Sequence, residues 1–297
     1  MKKIKLSPKL SLSAISQGYW RLEEWHFTTD QLISHMHGCL DLGVTTFDTA
    51  EIYSATLCES LMGEAFAKDK SLRKEIQLVT KTGIFQKKIN DEIFTYYDTT
   101  YDRVVHSCKE SLKRLNTDYI DLYLIHREDP LINPWETAEA LLDLKKEGLV
   151  LEIGVSNFDP FKFNALNHAL NGELVTNQIE LNPTCFEHFN SGMIDYLSQL
   201  KIHPMAWSPL AGGLYFSSTE EKYRLLMDKV SEIADRHSTN PATIIYAWIL
   251  YHPVGAIPIV GSKNLKRLED AIKALDVSLE HWEWYEIYTA SKQQVLR

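Results

Sequence analysis

The sequence predicts an α/β fold, a (β/α)8 TIM barrel of parallel strands, each followed by a helix. The chain has 297 residues, and such barrels typically take ~250 as one unit. Eight short β-rich runs alternate with stretches of helical periodicity. The Gly-rich turn GxGxxG, typical of the competing doubly wound open sheet, is absent from the sequence. We therefore expect one barrel domain over residues 1–297.

Several of the eight runs are nearly continuous and apolar, as expected of parallel strands covered on both faces. The eight runs are 13–18, 44–48, 76–81, 120–126, 152–156, 175–181, 203–207 and 256–260. Asn133-Pro134, Asp159-Pro160 and Asn240-Pro241 each combine a capping side chain with a proline, a pair that predicts a helix start. Ser262 is predicted to cap the helix after the last strand.

Three segments fall outside the alternating pattern. Residues 4–12 alternate around Ser7-Pro8-Lys9, which predicts an N-terminal β-hairpin able to close the barrel bottom. Residues after Leu279 predict an extra C-terminal helix. Residues 84–101 form an unusually long strand-to-helix loop, and we expect them to shape access for a substrate.

The composition excludes several classes of function. With 31 Lys+Arg against 40 Asp+Glu the net charge is −9, which argues against general affinity for nucleic acid or anionic membranes. The longest apolar run covers 244–251, far short of the ~20 residues that span a bilayer. Four scattered cysteines without a CxxC pattern indicate reduced thiols. We expect a cytoplasmic protein with no nucleic-acid or membrane partner and no metal site.

Polar side chains stand where the predicted strands end, and in a barrel those ends share one reactive rim. Among them, Asp48 and Lys81 can pair in a partly dry mouth. A lysine charge ~4 Å from Tyr53 is worth roughly 4 kcal/mol at an effective dielectric of ~20, about three pKa units, and would bring the phenol toward pH 7. His126 can donate a hydrogen bond to a substrate oxygen. Taken singly, each could instead be a structural ion pair, a rim aromatic or a satisfied loop histidine.

Seven motifs, in this order and spacing, give the sequence a family resemblance. They are DTAEIY (48–53), TKTG (80–83), DLYLIHR (121–127), GVSNF (154–158), NQIELNP (177–183), AWSPLAGG (206–213) and IPIVGSKNLKRLEDA (257–271). On these motifs the chain resembles the aldo-keto reductase superfamily nearly end to end. The start GYWR (18–21) and the overall layout are most like the bacterial YdhF-like oxidoreductases.

The resemblance implies reduction of aldehyde or ketone carbonyls by direct hydride transfer from NADPH. Tyr53 would then be the proton donor, and Lys81, held by Asp48, would lower its pKa. His126 would orient the carbonyl. We also expect Trp20 to form a wall of the substrate pocket.

The same resemblance implies where NADPH would lie. The nicotinamide carboxamide would be held by Ser156, Asn157 and Gln178, and the ring would stack on Trp207. Three residues would follow the pyrophosphate: Ser208, Leu210 and Gly212.

At the adenosine end, the helix start with Ser262, Lys263 and Arg267 would bind the 2′-phosphate. Asp270 falls where relatives often have an acid at the adenine. Gly261 belongs to the same stretch and replaces a lysine found in many relatives. Without the resemblance, the basic residues would be a solvated helix face.

Two other functions remain open from the sequence. A cofactor-binding regulatory protein with weak turnover would keep the barrel and NADPH. A lyase would use Lys81 as a Schiff-base nucleophile. The intact set of Asp48, Tyr53, Lys81 and His126 weighs against the first, and an Asp48 partner that keeps Lys81 protonated weighs against the second.

Overall fold

A computed structural model describes residues 1–294 and 296. The strands are β1 Lys3–Lys5, β2 Ser11–Ser13, β3 Ser16–Gly18, β4 Thr46–Asp48, β5 Gln77–Thr82, β6 Ile84–Ile89, β7 Glu92–Tyr97, β8 Ile120–Ile125, β9 Val150–Ser156, β10 Leu174–Glu180, β11 Met205–Trp207 and β12 Ile257–Val260. Eight of them form a closed barrel in the order β10-β11-β12-β3-β4-β5-β8-β9, and all neighbours are parallel. Each barrel strand overlaps one of the eight predicted runs, with ends that differ by up to three residues, and this confirms the fold class.

The helices lie outside the barrel. They are α1 Thr29–Asp41, α2 Leu57–Lys68, α3 Leu72–Glu75, α4 Tyr101–Arg114, α5 Pro134–Lys146, α6 Pro160–Ala169, α7 Glu187–Asn190, α8 Met193–Leu200, α9 Leu214–Ser217, α10 Glu221–Arg236, α11 Pro241–Tyr251, α12 Leu265–Lys273 and α13 His281–Lys292. Of these, α1–α11 link consecutive barrel strands, and α12 and α13 follow the last one. Within residues 1–294 and 296, no helix is long and apolar enough to cross a bilayer.

Three of the four predicted helix starts are confirmed. Asn133, Asp159 and Asn240 each accept a backbone N–H from the first turn of their helix. The prediction for Ser262 is wrong, because the cap of α12 is Asn264, whose Oδ1 accepts from the backbone N–H of residue 266. Ser262 Oγ instead accepts from the backbone N–H of Asn264, at 3.1 Å.

The predicted N-terminal hairpin is present as the antiparallel pair β1–β2. Its Leu10 and Leu12 are buried with inward-facing side chains of the barrel. Those barrel side chains are Val79, Leu122, Leu124, Met205, Ile257 and Ile259. The hairpin therefore closes the bottom of the barrel, and the opposite rim is left for chemistry.

Residues 84–97 differ from the predicted loop, because they form an antiparallel hairpin, β6–β7. Asn90 and Asp91 both take positive φ angles, 49° and 66°, as a two-residue type I′ turn requires. Asparagine and aspartate tolerate this conformation better than other non-glycine residues. The Asn-Asp pair between β-rich runs was therefore a hairpin signal in the sequence.

The predicted C-terminal helix is α13, and it is fixed to the barrel by a pair of tryptophans. The Trp248 and Trp284 rings stack with centroids 4.8 Å apart. Each indole N–H donates to the other residue's backbone carbonyl, at 3.1 Å in both directions. Both side chains are buried, so neither carbonyl has water as an alternative donor.

This reciprocal arrangement predicts a measurable contribution to stability. Trp284→Phe leaves the Trp248 carbonyl buried without its donor, which should lower the free energy of unfolding in urea by about 1–3 kcal/mol. Trp282→Phe is the control, because Trp282 is on the same helix but 53% exposed, and it should change stability by less than about 0.5 kcal/mol. Equal effects of the two substitutions would contradict the role given to the pair.

Candidate active site

The carboxyl ends of the parallel strands bring the predicted catalytic side chains to one rim. Asp48 is the last residue of β4, Lys81 lies near the end of β5, and His126 directly follows β8. These three strands are consecutive neighbours in the barrel. Tyr53 lies on the loop after β4, which is bonded to β5 through the backbone N–H groups of residues 49 and 51.

Lys81 is the centre of this group. Its side chain is fully buried, and Nζ lies 2.7 Å from Asp48 Oδ1, 2.7 Å from the Thr49 carbonyl oxygen and 3.3 Å from the Tyr53 hydroxyl. Burial alone would lower the pKa of Lys81, but the charges of Asp48 and Tyr53 and the hydrogen bonds to both together outweigh it, and the pKa is raised. The lysine is thus a buried ammonium with its three donors directed at these three oxygens.

Asp48 is held on its other side by Gln178 of β10. Gln178 Nε2 donates to Asp48 Oδ2 at 2.7 Å, so the carboxylate is fixed at both oxygens. Gln178 was predicted to bind the nicotinamide carboxamide. Its Nε2 is engaged by Asp48, and its Oε1 accepts no side-chain hydrogen bond within the described residues.

The Tyr53 phenol is more deeply buried than its position on a rim loop suggests. Burial raises the pKa of Tyr53 above its ordinary value, and the neighbouring Lys81 charge opposes that rise without reversing it. The predicted fall toward neutral pH is therefore wrong for the protein in this structure. The reason is that burying a tyrosinate costs more than the neighbouring lysine charge returns, and the extent of burial is not encoded locally in the sequence.

His126 faces the Tyr53 ring edge-on, with ring centroids 5.7 Å apart. Burial and the positive charges of Lys81 and Arg127 hold the pKa of His126 well below its usual range. The imidazole is therefore neutral and keeps a single N–H. Trp20, 55% exposed, has its ring centroid 6.4 Å from that of Tyr53, at the outer edge of the same mouth.

The predicted nicotinamide residues form one hydrogen-bonded chain. Trp207 Nε1 donates to Asn157 Oδ1 at 2.9 Å, and Asn157 Nδ2 donates to Ser156 Oγ at 2.8 Å. Ser156 Oγ in turn donates to the Gln178 backbone carbonyl at 2.8 Å. This series of hydrogen bonds fixes the orientation of the half-buried Trp207 ring at the same rim as the catalytic residues.

The loop after β11 provides exposed backbone next to Trp207. Ser208 and Gly212 take positive φ angles of 48° and 64°, and Leu210 lies between them. A Cβ added at Gly212, Gly213 or Gly261 would meet no atom within 4 Å. The backbone is thus open to close approach of a bound group at these glycines.

At the start of α12, Lys263 and Arg267 are exposed and have no ion pair in the part of the chain that the structure describes. Because Asn264 is the cap, Arg267 is in the first turn of α12, nearer the helix N-terminus than predicted. Asp270 follows on the same helix and lies 3.5 Å from Lys273.

A second layer of charged residues, which was not predicted from the sequence, supports the rim. Glu59 of α2 is fully buried and accepts from Thr80 Oγ1 at 2.6 Å and from Arg114 Nε at 2.7 Å. Glu51 accepts from Thr82 Oγ1 at 2.8 Å. Because side chains alternate along a strand, these two threonines face the helices while Lys81 between them faces the barrel interior. The outward orientation of the two threonines could have been predicted from this alternation. The pairing of Glu59 with Arg114 of α4 could not, because nothing in the sequence connects the two residues.

The turn after Tyr53 is conformationally strained. Three successive non-glycine residues, Ser54, Ala55 and Thr56, have φ angles of 48°, 50° and 78°. The left-handed conformation costs an L-residue roughly 1–2 kcal/mol. Surrounding contacts of the loop must offset that cost to hold Tyr53 in place.

Comparison with known proteins agrees with this architecture. The chain is 38% identical to a 6-dehydroglucose reductase of Agrobacterium fabrum, over 97% of each chain. It is 37% identical to the oxidoreductase YdhF of Escherichia coli, over 94% of this chain and 93% of that one. The crystal structure of a thermostable aldo-keto reductase, Tm1743, with the inhibitor epalrestat matches at a TM-score of 0.82 and 26% identity, covering 98% of this chain and 100% of that one.

The model of the aldo/keto reductase family matches residues 14–292. That range begins just after the N-terminal hairpin and takes in every barrel strand and the rim described above. The match and the near full-length relatives confirm the family resemblance found in the motifs, and the chain belongs to the aldo/keto reductase family of oxidoreductases.

Proposed function

We propose that this oxidoreductase is an NADPH-dependent reductase of aldehyde and ketone carbonyls in which Tyr53 is the proton donor. One observation carries the proposal: a fully buried ammonium, Lys81 Nζ, lies 2.7 Å from Asp48 Oδ1 and 3.3 Å from the Tyr53 hydroxyl. Keeping a charge in so dry a place costs several kcal/mol unless it is paired. A reaction that leaves negative charge on the phenol gives this arrangement a chemical use.

The proposed proton transfer follows from the neighbours of Tyr53. When a substrate carbonyl becomes an alkoxide, Tyr53 donates its proton to that oxygen. The tyrosinate that remains is stabilised by Lys81, and because the ammonium is already held by Asp48, little reorganisation is needed. Neutral His126 retains an N–H that can hold the same carbonyl oxygen in line with the phenol.

The rim has the groups that a nicotinamide cofactor needs. Gln178 Oε1, Asn157 and Ser156 would hold the carboxamide, Trp207 would stack on the ring, and the open backbone at Gly212 would admit the pyrophosphate. A bound nicotinamide supplies the hydride. We assign the 2′-phosphate to Ser262, Lys263 and Arg267 at the first turn of α12, and the adenine edge to Asp270.

Two further observations bear on the setting and on the alternatives. The cysteines at 39, 58, 108 and 185 are unpaired, which suits a reducing compartment such as the cytoplasm. The raised pKa of Lys81 disfavours a Schiff-base lyase, because the nucleophile there is a neutral amine.

Tyr53→Phe tests the proton donor. Removing the hydroxyl deprives the developing alkoxide of its proton, so kcat for aldehyde reduction should fall by about 10²–10⁴-fold. NADPH affinity should be nearly unchanged, because the hydroxyl faces the substrate. The measurement is steady-state NADPH oxidation, with cofactor binding followed by fluorescence.

Tyr285→Phe is the matched control for that experiment. Tyr285 lies on α13, 38% exposed and away from the rim, and its variant should keep the activity of the unaltered protein. A Tyr53→Phe variant that retains most of its kcat would remove Tyr53 from the mechanism.

Arg267→Ala tests the cofactor assignment. Loss of a charge-assisted hydrogen bond to the 2′-phosphate should weaken NADPH binding by roughly 10–150-fold and leave NADH within a few-fold. Lys266→Ala is the control, because Lys266 already pairs with Glu269 at 2.8 Å, and it should alter neither affinity appreciably. If Arg267→Ala weakens NADPH and NADH equally, Arg267 does not read the 2′-phosphate.

A further inference from the structure

Arg127 is a half-buried cation at the rim, and among the described residues it has no hydrogen-bond or ion-pair partner. It directly follows His126 at the end of β8, and its guanidinium carbon lies 5.7 Å from the centroid of the Trp207 ring. Among residues 1–294 and 296, no hydrogen bond and no carboxylate within 4 Å engages its guanidinium. Arg127 therefore lies at the mouth of the site, with hydrogen-bond donors that no described residue engages.

The two acids next to Arg127 in the sequence are committed elsewhere. Glu128 accepts from the backbone N–H of Asp159 at 2.8 Å and pairs with Lys162. Asp129 accepts from Thr99 Oγ1 at 3.0 Å and from the backbone N–H of Leu131 at 2.8 Å. The chain therefore has acids beside Arg127 and does not use them to neutralise it.

Three arginines elsewhere in the chain are each neutralised by a carboxylate, whereas Arg21, Arg103 and Arg267 have no ion pair among the described residues. Arg73 pairs with Asp121, Arg114 with Glu59, and Arg236 with Glu286. A partly desolvated charge is costly unless a counter-charge is supplied. The protein as a whole has a net charge of −9, so acidic residues are plentiful. The lack of a counter-charge within 4 Å of Arg127 among the described residues is therefore a local property of this part of the rim.

The charge of Arg127 acts on the reacting groups. After burial and Lys81, it is a further cause that depresses the pKa of His126, and it also opposes the rise in the pKa of Tyr53. Glu180 is half-buried at the end of β10, and its carboxylate interacts with the Arg127 charge, which acts to lower the pKa of Glu180 against the effect of burial. Glu180 lies beyond 4 Å from Arg127, accepts from Asn182 Nδ2 at 3.2 Å, and has a pKa raised by burial.

We propose that Arg127 is a specificity-determining residue that selects carbonyl substrates carrying a carboxylate or a similar oxyanion near the carbonyl group. A planar guanidinium can bind such a group through two parallel hydrogen bonds. The Arg127 charge acts on both Tyr53 and His126, and its guanidinium lies over Trp207, so an anionic group attached near a carbonyl held between Tyr53 and His126 is within its reach. The inference rests on the proposed carbonyl reduction at the same site.

The test compares succinic semialdehyde with its methyl ester, which differ in the anionic charge. The unaltered protein should show the lower KM for the acid. Arg127→Met should raise KM for the acid by about 10–100-fold and leave KM for the ester within about threefold. Arg127→Lys should fall between, because it keeps the charge and loses the planar fork.

Arg224→Met is the matched control, since Arg224 is on the exposed face of α10 and pairs with Asp228 at 3.4 Å; it should change neither KM. If Arg127→Met raises KM for acid and ester equally, or weakens NADPH binding to the same extent, Arg127 supports Trp207 or the cofactor and the inference is overturned. If the unaltered protein reduces the ester as well as the acid, anion selection fails while carbonyl reduction stands. If it reduces neither, both proposals fall.

Discussion

The buried pair of Lys81 and Asp48 is the interaction on which the rest of the rim depends. It joins the ends of β4 and β5, and Gln178 Nε2 extends it across the barrel to β10. Removing one partner of such a pair costs typically 3–5 kcal/mol, because the other charge is left uncompensated. Burying both charges costs about as much as their attraction returns, so the pair adds little net stability, and its geometry toward the Tyr53 hydroxyl explains it better.

The second layer of residues behind the rim, Glu51 and Glu59 with their threonine partners on β5, helps to hold Tyr53 in position. Thr80 and Thr82 flank Lys81 on β5 and hold Glu59 and Glu51 on the helical side. Glu51 belongs to the same loop as Tyr53, so the loop is bonded to the strand that bears the lysine. This bonding offsets the left-handed turn over residues 54–56.

Periodicity and rim position predicted much of the molecule, and the failures have physical causes. The eight strands and the meeting of Asp48, Lys81 and His126 follow from alternation of elements and parallel topology. The cap of α12 was predicted wrongly because Ser262 and Asn264 are both good capping residues. Which of them caps the helix depends on where β12 ends and the chain turns, and the sequence does not show that point. The pKa of Tyr53 was missed because burial is a tertiary property. The isolation of Arg127 was invisible for the same reason, since Glu128 and Asp129 follow it directly in the sequence.

The most direct test of the account is the pH dependence of kcat/KM for carbonyl reduction in the unaltered protein and in Lys81→Met. Tyr53 donates only while protonated, so the rate falls as pH rises through its pKa. The Lys81 charge lowers that pKa relative to the same phenol without it. Lys81→Met should therefore reduce the rate and move the alkaline fall upward by roughly one to three pH units. An unchanged midpoint would contradict the claim that Lys81 acts through Tyr53.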